Sequence, residues 1–143
     1  MTERVAVVTG AARGIGLATS TLLLNKGVSV AMVDRDAEAL AQSSANLTNV
    51  LPLNHDVSDP DQADVLINAT LSRYGRIDCL VNNAGVADFG PIEQTSFERW
   101  RRVMATNLDG VFLCSQAATP ALKESAGCIV CLLYTSPSPR DRG

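Results

Sequence analysis

With 143 residues, 46% of them apolar and 19% charged, the chain is long enough for one domain with a sizeable core and has a soluble globular composition. Its 12 basic and 15 acidic residues leave a net charge of -3, which gives no reason to expect nucleic acid or an anionic membrane as partner. No run is long and apolar enough to span a bilayer, and "MTERVAVVTG" enters a strand at once, so the expected setting is cytoplasmic.

In chain order, strands alternate with helices. "RVAVVTG" is the first strand and leads through a glycine turn into a helix from about Gly14 to Lys26. "VSVAMVD" is the second strand, followed by a helix from Asp36 to Asn46, and "VLPLN" is the third. In "SDPDQADVLINATLSRYG", Ala63, Leu66, Ile67, Thr70, Leu71 and Tyr74 fall on one helical stripe. Ser58 is the expected cap of that helix, with Pro60 in its first turn and Gly75 just past its end. "IDCLVNN" is the fourth strand, Phe97 to Lys123 reads as helix interrupted near Asn107, and "GCIVCLL" is the fifth strand. The apolar runs do not alternate in and out, so both faces should be covered, as in parallel sheets. The expected fold class is therefore α/β, a doubly wound parallel sheet with ligands bound at the carboxyl rim of its strands.

The four cysteines are Cys79, Cys114, Cys128 and Cys131. Cys128 and Cys131 make a C-x-x-C, but a redox or zinc site needs an exposed turn or further ligands, and His55 is the only histidine. The expectation is reduced thiols packed as small apolar groups. His55 is expected at the surface or an edge, with no role.

The turn Thr9-Gly10-Ala11-Ala12-Arg13-Gly14-Ile15-Gly16 sits between a strand and a helix. Gly10 permits the sharp exit from the strand, Gly14 lets backbone approach a pyrophosphate, and Gly16 lets the helix pack closely on the strand. The helix head then offers free N–H groups and a positive dipole end to phosphates. Asp34 closes the second strand, where a carboxylate can bond both hydroxyls of an adenosine ribose. A 2′-phosphate would meet like charge there, so NAD is expected over NADP, although Arg13 and Arg35 are guanidinium groups that could host such a phosphate.

The spacing T-G-x-x-x-G-I-G, together with "NNAG" at Asn82 to Gly85, resembles the short-chain dehydrogenase/reductase family from Met1 to about Val130. The resemblance implies a Rossmann-like domain over residues 1–133 and hydride transfer between nicotinamide and an alcohol or carbonyl substrate. It implies a full-length protein that is a homo-oligomer. It places Gly10, Arg13, Gly14, Ile15, Gly16 and Asp34 around the dinucleotide, and Asp56 and Val57 of "HDVSD" at the adenine. Asn83, Ala84 and Gly85 would line the cofactor, and Asn107 of "VMATNLDGVF" would be the catalytic asparagine, which positions a water of the proton relay. Two other readings stand beside it. A non-catalytic dinucleotide-binding module has no use for Asn107, and a methyltransferase on a similar sheet does not share the glycine spacing.

The pattern breaks at the end. Aligned on the fifth strand, the position of the family's catalytic serine holds Tyr134, whose fourth neighbour is Ser138 rather than the lysine of Tyr-x-x-x-Lys. A phenol with no cation nearby keeps a pKa near 10 and is a poor base at neutral pH. Residues 131–141, "CLLYTSPSPRD", resemble a translated sequencing adaptor, and residues 134–143 have no apolar periodicity and read as a disordered, non-native-looking tail. The expectation is a fragment truncated after the fifth strand, inactive alone, with an open sheet edge and a bare helix face around Val111, Phe112 and Leu113.

Overall fold

Five strands form one parallel sheet: β1 (Val5–Thr9), β2 (Ser29–Asp34), β3 (Val50–Asn54), β4 (Cys79–Asn82) and β5 (Cys128–Cys131), ordered β3-β2-β1-β4-β5. The structure is a computed structural model and describes residues 3–132; Tyr134 and the tail expected over 134–143 lie outside the described residues. Helices α1 (Gly14–Asn25) and α2 (Ala37–Ser44) cover one face of the sheet, and α3 (Ala63–Tyr74) and α5 (Gly110–Ser125) cover the other. The short helix α4 (Phe97–Met104) precedes α5.

The strand pleat sends neighbours to opposite sides. Val7, Ala31, Val33 and Leu80 meet Leu66 and Ile67 of α3 and Cys114 and Ala118 of α5. Val8, Val30, Met32 and Val81 meet Leu40 of α2 and the partly buried Leu17, Leu23 and Leu24 of α1. Met32, Leu66, Ile77 and Leu80 are wholly buried, each contributing about 1.5–3 kcal/mol of transfer free energy.

Three expectations change. The edge strands are not covered on both faces: all four residues of β5 are exposed, and β3 is only partly buried. Pro52 fits in β3 because an edge strand can spare an N–H. The third helix begins at Ala63, not after Ser58. Asp56 Oδ1 accepts from both the Ser58 amide (2.9 Å) and its hydroxyl (2.7 Å), so Ser58 is spent on a turn. Finally, only Cys114 packs as a fully buried thiol; Cys79 is half-buried, and Cys128 and Cys131 are exposed on the edge strand.

The expected interruption near Asn107 is a single π turn, Ala105–Asp109, that joins α4 to α5 without breaking the helical path. Gly75 ends α3 at φ 78°, in the left-handed region that favours glycine. Of the helix face expected to lie bare, Phe112 is exposed, whereas Val111 and Leu113 are half-buried. Among the described residues no helix is long and apolar enough to cross a membrane.

Candidate functional site

The strand order reverses between β1 and β4, and a cleft of about 360 Å³ lies at the carboxyl rim of the sheet, lined by residues at the ends of β1 to β4. Of the site residues singled out in the sequence, Gly10, Arg13, Asp34, Arg35, Asp56, Val57, Asn83, Ala84 and Gly85 line it. Gly14, Ile15 and Gly16 form the first turn of α1 behind the glycine turn, with Ile15 half exposed. Asn107 stands one layer back.

The glycine turn is shaped by contact. At Gly10 (φ +63°) a Cβ would lie 2.9 Å from Ala84 Cα, and at Gly16 it would lie 2.2 Å from Gly10 O. Any larger residue at position 16 would therefore push α1 off the turn. A Cβ at Gly14 would meet nothing, so that glycine leaves its backbone open above the helix head. Free amides at such a head suit an anion such as a pyrophosphate.

Asp34 is held in place by backbone. Its Oδ2 accepts from Ala12 N–H at 3.0 Å, and its Oδ1 from Asp36 N–H at 3.0 Å. One carboxylate thus ties the tip of β2 to the glycine turn. Asp36, not Asp34, caps α2, accepting from Ala39 N–H at 3.0 Å. That bond, and the Arg13 guanidinium 2.6 Å away, hold the Asp36 carboxyl below its ordinary value.

The fourth-strand exit is fixed by a residue that sequence reading passed over. The buried Thr9 hydroxyl accepts from Asn83 N–H (3.0 Å) and Ala84 N–H (2.9 Å). Asn83 Nδ2 donates back to Thr9 O (3.1 Å) and Gly10 O (3.2 Å), so its side chain locks the turn rather than facing the cleft. A hydroxyl ending an otherwise apolar strand was the available signal. Val86, Thr106 and His55 also line the cleft, and nothing local in the sequence marks Thr106 or His55.

His55 therefore stands on the cleft wall, where no role was expected of it. Its Nδ1 lies 3.2 Å from Gln62 Oε1, which also accepts Asp56 N–H at 2.7 Å. Asn107 clamps Val86 from both sides: its Oδ1 accepts Val86 N–H (2.8 Å) and its Nδ2 donates to Val86 O (2.9 Å). Asn107 sits within the π turn, from which its amide reaches the loop after β4. Among the described residues no group of histidine, cysteine and carboxylate side chains could hold a metal ion.

Comparison with known proteins agrees with this architecture. Residues 4–133 match the family description "short chain dehydrogenase". The chain is 37% identical over 130 residues to a meso-2,3-butanediol dehydrogenase of Serratia marcescens, covering 90% of this chain and 52% of that protein. It is 40% identical over 137 residues to a 2-(R)-hydroxypropyl-CoM dehydrogenase of Xanthobacter autotrophicus, covering 90% and 55%. The chain thus spans about half the length of the curated relatives it matches. A crystal structure of 3-ketoacyl-(acyl-carrier-protein) reductase from Brucella melitensis, complexed with NADH, superposes with a TM-score of 0.87 at 29% identity, over 92% of this chain and 57% of that one. Sheet order, glycine turn and matched span agree: the chain belongs to the short chain dehydrogenase family.

Proposed function

We propose that this chain carries the dinucleotide-binding half of an NAD-dependent oxidoreductase that moves hydride between nicotinamide and an alcohol or carbonyl carbon. The supporting observation is the Asp34 carboxylate, fixed by Ala12 N–H and Asp36 N–H at the mouth of the cleft, beside the open backbone of Gly14. In this reading Asp34 takes the two ribose hydroxyls. The amides of Gly14, Ile15 and Gly16 take the pyrophosphate. Asp56 and Val57 border the adenine, and Asn83 to Gly85 give the cofactor a backbone wall.

NAD is favoured over NADP by charge. A 2′-phosphate would sit against Asp34, and Arg13, one of the two guanidinium groups near it, is already paired with Asp36 at 2.6 Å. The nicotinamide, when bound, supplies or accepts the hydride; the protein supplies position. Asn107 has both amide atoms on Val86, so we assign it the placing of the loop after β4, with any water of a proton relay held from its backbone. The substrate class follows the relatives, whose names describe alcohol and ketone chemistry. The whole protein is proposed to assemble as a homo-oligomer.

Calorimetric titration of the chain with NAD, against Asp34→Ala, tests the ribose role. Loss of a charge-assisted hydrogen-bond acceptor should weaken binding by about 1.5–3 kcal/mol, roughly ten- to a hundredfold. Equal affinity in the two proteins defeats the assignment, and binding of S-adenosylmethionine in place of NAD would turn the reading to a methyltransferase.

A further inference from the structure

The opposite rim of the sheet holds a second cleft, of about 460 Å³, at the amino ends of the strands. Cys79 and Cys128 stand in its wall. They are direct register partners on the neighbouring strands β4 and β5, and their sulfurs are 3.8 Å apart. We infer that Cys79 and Cys128 form a reversible thiol–disulfide site whose oxidant is a small anionic disulfide.

Adjacent parallel strands lie about 4.7–4.9 Å apart, inside the range of about 4.4–6.8 Å that a disulfide requires between Cα atoms. The C-x-x-C spacing itself does not offer this. Cys128 and Cys131 are three residues apart on one strand, so their side chains leave opposite faces, and Cys131 meets Asn82 Nδ2 at 3.8 Å instead. The two thiols of the pair also differ. Cys128 is exposed, while Cys79 is half-buried, and burial first, then the Cys128 thiol beside it, pushes Cys79 up to about 12.

That difference sets the order of events. The Cys128 thiolate attacks one sulfur of the external disulfide, the S–S bond breaks, and one half leaves as a thiolate that takes a proton from water. Cys79 then gives up its proton, and its sulfur attacks Cys128, releasing the second half as thiolate. Two protein thiols are oxidised and one external disulfide is reduced to two thiols. Charge favours an anionic oxidant through Arg4: of the two guanidinium groups lining the cleft, Arg76 is already paired with the one lining carboxylate, Asp78, at 2.6 Å. The product bolts the exposed edge strand to β4.

The test is to expose the reduced 143-residue chain to oxidised glutathione under native conditions, alkylate the remaining thiols, and map the cysteines by mass spectrometry. Wild type should yield the Cys79–Cys128 cross-link as its main product, with Cys114 alkylated only after unfolding. Cys79→Ser should stop at a glutathione adduct on Cys128, and Cys128→Ser should leave Cys79 free. Added salt should slow the reaction with glutathione disulfide but not with a neutral hydroxyethyl disulfide. A Cys128–Cys131 link, or a glutathione adduct that persists on Cys128 in the wild-type chain, overturns the inference. Equal salt response of the two reagents overturns its choice of oxidant. The wild-type map stands even if a variant fails to fold.

Discussion

β4 runs between two unlike neighbours. On one side every residue of β1 is buried; on the other all four residues of β5 are exposed. Both strands read in the sequence as short apolar runs, and both pair with β4 in parallel register. The contrast shows that an apolar run specifies a strand, while its cover is decided by what packs on it from far away in the chain. β1 lies under α1 on one face and α5 on the other, and its far edge is taken by β2. β5 has a partner on one edge among the described residues.

The sharpest way to break the comparison is a matched pair of truncations. Leu80 and Ile129 are register partners, yet Leu80 is 0% exposed and Ile129 is 41% exposed. Leu80→Ala should cost about 2–5 kcal/mol, because it leaves a cavity between β4 and the α3–α5 layer. Ile129→Ala should cost about 1 kcal/mol or less, since water already reaches that side chain. Urea midpoints at constant slope measure both. Similar costs would mean that β5 is as well covered as the β4 it pairs with.

A smaller effect sharpens the contrast at the strand ends. β5 leaves the sheet with one backbone bond, Leu132 N–H to Asn82 O at 2.9 Å. β1 leaves with the buried Thr9 hydroxyl gripping two amides of the fourth-strand exit. Thr9→Val keeps the shape and strands both donors, so it should cost about 1–3 kcal/mol and loosen the cleft wall. An unchanged urea midpoint and unchanged hydrogen exchange at Asn83 and Ala84 would remove Thr9 from the site.

Much of this was readable in the residues, and the reason is locality. The glycine turn, the position of Asp34 at the end of β2 and the stripe of α3 all follow from spacing within one or two elements. What the sequence hid is long-range. Thr9 reaches residues 74 and 75 positions away. His55 reaches the cleft wall only once β3 is seated, and Cys128 finds Cys79 rather than Cys131 because strand register overrules sequence proximity. Ser58 misled for the opposite reason: a local competitor, Asp56, took its amide and hydroxyl before a helix could start.

The smallest expected effect concerns the residue that serves both neighbours of β4 at the amino rim. The Asp78 side chain accepts Val5 N–H of β1 at 2.8 Å, and its backbone carbonyl accepts Cys128 N–H of β5 at 3.0 Å. Burial alone would raise its carboxyl, but the paired Arg76, the Val5 amide and the charges of Arg76 and Arg4 outweigh it and hold the group below its ordinary value of 3.8. A carboxyl lowered on folding gives stability that is present above its unfolded value and lost as pH falls through its folded one. Asp78→Asn removes this charge and leaves the carbonyl that holds β5. The variant should be less stable by about 1 kcal/mol or less near neutral pH, solvent screening the Arg76 pair. The gap should close as pH falls below the ordinary 3.8 and through the lowered value of the folded carboxyl, where the folded protein takes up the proton. Urea unfolding across that range measures it. Two curves that stay parallel would assign the anchoring of β1 to the side chain's shape rather than its charge, while exchange of the Cys128 amide, bonded to backbone, should be the same in both proteins.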